Sequence, residues 1–334
     1  MNNASPTRLR LSYILLAASL FPFRHSLEAP RNGTKPSVKL ESRAPRFGSF
    51  PADTSNAARL STIVAGEAKP RLVSSQFKFT EGPAVDKKGN IFFTDQPNDK
   101  IWKYGTNGKL SVFLDKTGRS NGLYFDPQGN LLACADAQNE LWSISPAGKV
   151  TVLLRDVQQH KLNGPNDLWI NAKGGIYFTD PYYQRSYWTR QSPDIDGQKV
   201  YYLAKGRTEP IVVDDQVQQP NGIVGTPDGK YLYVADIKAD KTYKYQINAD
   251  GTLTDRKLFV EQGSDGMTLD SQGNVYLTGK GVTVYTPQGQ KLAHIDVPAA
   301  WTANLCFGGK DRKTLFITAS ESVFTLPMKV KGVE

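Results

Sequence analysis

The stretch "TEGPAVDKKGNIFFTD" (residues 80–95) has two short apolar runs on either side of a turn rich in Asp, Gly and Asn. This pattern is typical of a β-hairpin. It returns five more times along the chain, each time with a polar residue before the first run and a second apolar run after the turn. The further copies are "SNGLYFDPQGNLLACAD" (120–136), "PNDLWINAKGGIYFTD" (165–180), "PNGIVGTPDGKYLYVAD" (220–236), "SDGMTLDSQGNVYLTG" (264–279) and "ANLCFGGKDRKTLFIT" (303–318).

Most copies are followed by further strand-like runs. A third run with aromatic or β-branched residues follows, as in "KIWKYG" and "KVYYLA", and often a fourth, as in "LSVFLD" and "VTVLLR". Six units of three or four strands without a helical period predict an all-β fold, a six-bladed β-propeller. A β-sandwich does not explain the regular spacing.

The sixth unit ends near Met328 without a clear fourth strand. We expect an N-terminal strand from "LSTIVAG" or "PRLVSS", within residues 60–75, to complete this last blade. Such a closure joins the two ends of the propeller and removes an open sheet edge.

One polar residue stands at the same position in every repeat. The gaps between these positions are 40, 45, 55, 44 and 39 residues, about one blade each. Because the first strand of each propeller blade lines the central channel, we expect the six side chains to meet there. They are Glu81, Asn121, Asn166, Asn221, Asp265 and Asn304, called the channel ring below.

Two carboxylates and four amides supply hard oxygen ligands, which suit Ca²⁺, Mg²⁺ or Mn²⁺. Without a cation, Glu81 and Asp265 would face each other across a dehydrated channel at a cost of several kcal/mol. The alternative is that each Asn only caps a strand or a turn. That alternative is reasonable for one Asn but poor for a whole register.

Three residues outside the ring are candidate substrate contacts. His160 is in the loop that enters the third blade, where it either reaches the channel mouth or is simply exposed. Asp180 and Tyr182 belong to "YFTDPYYQ", whose rigid aromatic loop suits a sugar or another cyclic polar ligand. We expect the other Asp residues that end second strands to bind turn backbones, and His294 to be structural.

The first part of the chain differs from the rest. Two Arg residues precede an apolar run over 11–23, which fits a secretory signal and is too short for a confident membrane span. We therefore expect residues 1–29 to be a signal peptide or an uncleaved N-terminal anchor, 30–59 a disordered linker, and 60–330 the propeller. This predicts a secreted or periplasmic protein with no other membrane contact.

Charge and cysteine content narrow the function further. Residues 1–60 hold nine Lys/Arg and three acids, hence +6 of the net +9, so the body is close to neutral and no nucleic-acid partner is expected. Cys134 and Cys306 could form one disulfide, but both lie in apolar runs, which favours buried free thiols.

Several of these motifs in order, "LNGPNDLWINAKGGIYFTDP", "QPNGIVGTPDGKYLYVAD" and "GSDGMTLDSQGNVYLT" among them, resemble the SMP-30/gluconolactonase/luciferin-regenerating-enzyme family, in its gluconolactonase branch. The likeness covers roughly residues 60–328. It implies one divalent metal, most often Ca²⁺, held by Glu81, Asn166, Asn221 and Asp265. Asn121 and Asn304 would then lie behind the ligands or face the substrate.

The resemblance implies hydrolysis of a sugar lactone to its hydroxy acid, with the metal as Lewis acid and Asp265 activating water. Two alternatives stay open: a calcium-dependent phosphotriesterase or aryl-esterase, and a non-catalytic propeller whose metal only holds the blades together. Mg²⁺, Mn²⁺ and Zn²⁺ remain alternatives to Ca²⁺. We expect a small-molecule lactone as the substrate and a monomer or weak homo-oligomer.

Overall fold

The structure, a computed structural model, describes residues 54–334. The described part begins with helix α1 (Thr54–Ile63) and strand β1 (Arg71–Ser74). The strands form six four-stranded antiparallel sheets, and β1 is the outer strand of the last one. A 3₁₀ turn spans Gln96–Asn98. The first strands of neighbouring sheets contact each other in a closed cycle, so the predicted six-bladed β-propeller is confirmed.

The first three blades follow the chain in order. Their strands are β2 (Thr80–Val85), β3 (Ile91–Asp95), β4 (Lys100–Tyr104) and β5 (Leu110–Asp115); β6 (Ser120–Phe125), β7 (Leu131–Ala135), β8 (Glu140–Ile144) and β9 (Val150–Leu154); β10 (Leu168–Ile170), β11 (Ile176–Asp180), β12 (Lys199–Leu203) and β13 (Ile211–Asp214).

The fourth and fifth blades keep this order, and the sixth takes three strands from the end of the chain and β1 from its beginning. Their strands are β14 (Pro220–Gly225), β15 (Tyr231–Asp236), β16 (Lys241–Ile247) and β17 (Leu253–Val260); β18 (Met267–Leu269), β19 (Val275–Gly279), β20 (Gly281–Tyr285) and β21 (Lys291–Ile295); β22 (Asn304–Gly308), β23 (Thr314–Ala319) and β24 (Ser322–Pro327).

Local turn chemistry explains the hairpins. In the first blade the Asp86 carboxylate accepts hydrogen bonds from the backbone N–H of Lys88 and of Asn90, each at 2.9 Å. Gly89 between them has φ +89°, which a residue with a side chain rarely adopts. Because the same Asp-x-x-Gly-Asn turn recurs in the second and fifth blades, one local motif closes several hairpins.

The N-terminal strand closes the ring as expected. β1 pairs antiparallel with β24, Arg71 opposite Thr325 and Leu72 opposite Phe324, and so becomes the fourth strand of the sixth blade. Of the two proposed segments, "PRLVSS" is therefore the correct one. The earlier "LSTIVAG" instead ends α1, and its Val64 bridges to Met328.

The hydrophobic core lies between the blades. Phe93 of the first blade and Phe316 of the last are fully buried, with ring centroids 5.3 Å apart, so closure of the ring is also a packing contact. Tyr276 and Phe307 make an edge-on contact between the fifth and sixth blades, with ring centroids 5.4 Å apart. Each sheet thus buries both faces against its neighbours.

The predicted linker boundary at residue 59 is wrong, because residues 54–59 are helical. Ile63 and Val64 at the end of α1 are buried against the fifth and sixth blades. The Asn56 side chain also exchanges hydrogen bonds with the backbone of His294 at 3.1 and 2.9 Å. These contacts hold the helix on the outer strand and agree with a structural position for His294.

Two further predictions concern the segments around the propeller. The signal or anchor over 1–29 and the linker over 30–53 lie outside the described residues. In the described part, residues 54–334, no helix is long and apolar enough to cross a membrane.

Cys134 on β7 and Cys306 on β22 are free and buried, as expected.

Candidate active site

The channel ring is built by irregular pairing at the start of the first strands. β2 has a register shift between Glu81 and Ala84, and corresponding shifts in β6 and β14 surround Asn121 and Asn221. A β-bulge turns a side chain away from its regular direction and is common beside active sites. The bulges account for polar side chains that leave the blade interfaces and point to the channel.

Glycines let neighbouring first strands approach closely behind the ring. A Cβ on Gly82 would lie 2.1 Å from the carbonyl oxygen of Asn121, and one on Gly266 would lie 2.0 Å from the Asn304 side chain. Larger residues at these positions would push the ring apart. The Gly that follows the ring position in four of the repeats is therefore a packing requirement.

The structure brings the predicted ring residues together at the floor of a cavity of about 410 Å³. Its walls are formed by loops of several blades and combine polar and apolar side chains. The lining residues are Phe79, Glu81, Gln96, Pro97, Asn121, Asn166, Tyr183, Arg185, Asn221, Ile237 and Asp265. Asn304 lies next to this floor, where its amide Nδ2 donates to Glu81 Oε2 at 3.1 Å.

A third carboxylate, Asp167, lies directly behind the floor, beside Asn304, and was missed from the sequence. Its Oδ2 lies 3.5 Å from the same Asn304 Nδ2 that donates to Glu81. Asp167 stands where four repeats have Gly, and its Oδ1 occupies the space that Gly122 leaves open, 2.6 Å from where a Cβ would be. The signal that could have identified it is the pair Asn-Asp in the third repeat, where the second and fourth repeats have Asn-Gly.

Each of the three carboxyl groups holds its proton more tightly than a carboxyl group in water does. Burial, together with the charges of Asp265 and Asp167, raises the pKa of Glu81 well above its usual range. Burial raises the pKa of Asp167 to about 7 and that of Asp265 to about 6. Removing several negative charges from water without a counter-charge is unfavourable, so this floor is suited to a cation.

Two amide oxygens of the ring have no hydrogen-bond donor within the described part of the chain. The Oδ1 atoms of Asn121 and Asn221 are buried and accept no hydrogen bond from any described residue. Buried polar atoms are paired in most proteins, with protein groups, water or ions. Unpaired amide oxygens beside carboxylates are the donor set that a hard divalent cation takes.

The acids alone do not make a metal site: among residues 54–334, no group of three or more His, Cys, Asp and Glu side chains is arranged to hold a metal ion. A cation here would also need amide oxygens of the ring, such as those of Asn166 and Asn221. The ring therefore passes the chemical test for a hard cation such as Ca²⁺, but only as a mixed carboxylate and amide set.

Asp265 is the ring carboxylate that is partly accessible from the cavity. The indole Nε1 of Trp301 donates a hydrogen bond to its Oδ2 at 2.6 Å, which holds the carboxylate in one orientation and opposes the rise of its pKa. Trp301 lies in the loop before β22 and has no counterpart in the other repeats. Sequence reasoning missed it for that reason.

The other predicted substrate contacts are placed differently. Asp180 is fully buried, and its carboxylate accepts from the backbone N–H of Asn163 and Gly164 at 2.9 and 2.8 Å. It thus supports a turn below the surface and does not line the cavity, contrary to expectation. His160 is exposed in its loop and is not a lining residue.

The aromatic loop after β11 does reach the cavity, but with other residues than expected. Tyr183 lines the wall and its hydroxyl accepts from Asn221 Nδ2 at 3.1 Å, whereas the predicted Tyr182 instead donates to Gln184. Arg185 follows on the same wall.

Asp136 is the exception among the Asp residues that end second strands. Its Oδ2 accepts from Arg185 Nε at 3.0 Å, from Tyr187 Oη and from Gln96 Nε2 at 3.4 Å. Asp95 and Asp236 bind turn backbones in the expected way. Asp136 therefore anchors side chains at the mouth of the cavity, whereas the sequence had singled out Asp180 as a substrate contact.

Comparison with known proteins identifies the family of the propeller. The family described as "SMP-30/Gluconolactonase/LRE-like region" matches residues 79–321. A gluconolactonase of Zymomonas mobilis subsp. mobilis is 27% identical over 308 residues, which cover 82% of this chain and 85% of that protein.

Two further relatives span most of the propeller. Pentonolactonase XacC of Haloferax volcanii is 32% identical over 265 residues, 75% of this chain and 84% of that protein. The solved structure of a gluconolactonase from Xanthomonas campestris matches with a TM-score of 0.74 and 28% identity, covering 79% of this chain and 91% of the other.

Proposed function

The chain belongs to the SMP-30/gluconolactonase/LRE-like family, and from this we propose that it is a metal-dependent hydrolase of sugar lactones. Relatives named gluconolactonase and pentonolactonase, which it matches over most of its length, support the substrate class. The reaction opens a gluconolactone-like ring to the hydroxy acid. The observation that carries the proposal is the floor of buried carboxylates and unpaired amide oxygens.

Glu81, Asn166, Asn221 and Asp265 would hold the cation. The unpaired Oδ1 of Asn221 and the raised pKa of Glu81 support this set. A bound divalent ion would polarise the lactone carbonyl and stabilise negative charge on its oxygen. Ca²⁺ suits the all-oxygen set best, with Mg²⁺, Mn²⁺ and Zn²⁺ as alternatives.

Asp265 is the proposed general base. Its carboxylate takes a proton from the attacking water, a new C–O bond forms at the carbonyl carbon, and the ring C–O bond breaks. The proton then passes to the departing ring oxygen, which becomes the hydroxyl of the product. Trp301 contributes by keeping Asp265 in one orientation through its indole N–H.

The two ring residues outside the proposed ligand set, Asn304 and Asn121, have different roles. Asn304 donates to Glu81 at 3.1 Å and its Oδ1 accepts from the Leu305 N–H at 2.8 Å, so its amide direction is determined. Its nitrogen faces the carboxylates, which supports a position behind the ligands. Asn121, with a free Oδ1 at the cavity floor, is the better candidate for a substrate contact.

A lactone panel assayed with and without EDTA tests the proposal. We expect wild type with added Ca²⁺ to hydrolyse sugar lactones, and Asp265→Asn to keep its fold and lose turnover. If Asp265→Asn keeps full turnover, the mechanism is wrong. If EDTA lowers the melting temperature but leaves activity, the metal is only structural. Turnover of paraoxon or phenyl acetate without lactone turnover would favour the esterase alternative.

We also propose that the protein is exported. The support is the sequence of residues 1–29, with two Arg residues before an apolar run. Mass spectrometry of the mature N-terminus after fractionation of the producing cells tests this. An intact Met1 in the cytoplasmic fraction would contradict it.

A further inference from the structure

The mouth of the cavity holds a charged wall that the proposed chemistry does not use. Arg185 is the one cationic residue among those that line the cavity of the described chain, and its side chain is 25% exposed. It is held through Nε by Asp136, which is 3% exposed. Of residues 54–334, none accepts a hydrogen bond from the Nη atoms of Arg185.

The wall offers acceptors as well as donors. Gln96, also a lining residue, gives its Nε2 to the same Asp136 oxygen at 3.4 Å, and its Oε1 accepts no hydrogen bond from the described part of the chain. Arg185 thus presents free N–H groups and Gln96 a free carbonyl oxygen, both oriented by one carboxylate. A hydroxyl group, which donates and accepts, satisfies this combination.

The charge balance of the wall identifies the kind of ligand. Asp136 neutralises Arg185 in a hydrogen-bonded pair, and the floor adds only acidic and amide groups. An anionic substituent would find no unpaired positive charge on this wall. A neutral ring with several hydroxyl groups can hydrogen-bond to both the Arg185 donors and the Gln96 acceptor, and it needs no unpaired positive charge.

We propose that Arg185 and Gln96 are the specificity-determining wall of the site and bind ring hydroxyl groups of a neutral, polyhydroxylated lactone, with Asp136 as the positioning residue. This inference rests on the proposed function, since it names the substrate class of the same site. Tyr187, which donates to Asp136 and packs under Arg119 at 4.5 Å, supports the anchor from behind.

The test compares D-glucono-1,5-lactone with δ-valerolactone, which has the same ring and no hydroxyl groups. We expect Arg185→Met to lower kcat/KM for the first by about 10- to 100-fold, the range for losing hydrogen bonds from a charged donor. We expect less than about threefold change for δ-valerolactone, because the lost contacts exist only with hydroxyl groups. An equal loss on both lactones, or no loss on either, overturns the proposal.

Arg155→Met is the matched control. Arg155 makes the same kind of Nε–carboxylate pair, with Glu140 Oε1 at 3.1 Å, but on the outer strands of the second blade. We expect it to leave the selectivity between the two lactones unchanged. A selectivity loss equal to that of Arg185→Met would mean that the effect does not come from the cavity wall.

Asp136→Asn tests the positioning role. We expect it to lower the same selectivity in wild type and to lower it less in the Arg185→Met background, where only the Gln96 contact is left to disturb. If the two substitutions lower the selectivity by fully additive amounts, Asp136 does not act through Arg185, and its positioning role is overturned. Higher kcat/KM for 6-phosphogluconolactone than for the neutral lactone, with a larger loss in Arg185→Met, would overturn the neutral substrate class.

Failure of the proposed function is visible separately, as wild type that hydrolyses no lactone. The wall is then judged by calorimetric binding of methyl α-D-glucopyranoside, which cannot react. Binding to wild type that weakens at least about tenfold in Arg185→Met supports the inference. No binding, or equal binding to both proteins, overturns it.

Discussion

Replacing Asp167 by Asn should stabilise the metal-free protein at neutral and alkaline pH. Burial raises the pKa of Asp167 from 3.8 to about 7, and each pKa unit corresponds to about 1.4 kcal/mol. Ionising Asp167 in the folded protein therefore reduces the free energy of unfolding by about 4 kcal/mol above pH 7. The amide that replaces the carboxyl group cannot ionise, and its oxygen can still accept from the Leu168 N–H, as Asp167 does at 2.9 Å.

The sign of the pH dependence follows from proton binding. The folded wild type binds the Asp167 proton more tightly than the unfolded chain does, so its stability is full below about pH 4 and falls as pH rises to about 7. The Asn variant lacks this fall. The advantage of Asp167→Asn should therefore be near zero at pH 4, grow through pH 6, and reach its maximum near pH 8.

Urea unfolding followed by tryptophan fluorescence measures this, in EDTA at several pH values. Glu261→Gln, which removes one charge from an exposed position, is the control and should show no such rise. With saturating Ca²⁺ the order should reverse, because a cation on the floor stabilises the ionised carboxylate. If metal-free Asp167→Asn is no more stable than wild type at pH 8, Asp167 is not the destabilising buried acid described above.

Three further changes probe the site, the support beneath it and the closure of the ring. Trp301→Phe removes the indole N–H from Asp265 and should lower kcat on lactones by about 10-fold or more, from the usual value of a hydrogen bond to a charged group, while circular dichroism stays unchanged; an unchanged kcat would show that this contact is not needed. Asp180→Ala leaves the buried N–H groups of Asn163 and Gly164 without their acceptor and should lower the free energy of unfolding by about 1–3 kcal/mol in urea titrations at pH 4, below the pKa of about 7 to which burial raises Asp180, so that no buried charge is removed; loss of activity at full stability would restore Asp180 as a substrate contact. Phe93→Ala opens a cavity between the first and last blades and should lower stability by about 3–5 kcal/mol by the same titration; a change below about 1 kcal/mol would mean that this contact contributes little to closure.

Much of the fold could be predicted because its signals are local. Turns such as Asp86–Asn90 carry their own hydrogen-bonding groups, and the apolar runs beside them form strands wherever the hairpin closes. Helix α1 was not predicted, because its helical pattern is weak. It is held by distant contacts with the fifth blade through Asn56.

The candidate site divides in a similar way. The repeat register identified Glu81, Asn121 and the other ring residues, since each has an equivalent in the next blade. Trp301 and Arg185 have no equivalents, and they reach the cavity from loops whose course depends on packing. Asp136 and Asp180 end equivalent strands and differ only in which loop folds over them.

The sequence by itself determined the number of blades, their closure by an N-terminal strand and the polar ring at their centre. These follow from short-range patterning, repeated at an interval of one blade. The tertiary structure decided the third carboxylate, the anchor at Asp136 and the wall at Arg185. Those depend on which side chains from distant segments share one buried volume, and burial and charge act through space rather than along the chain.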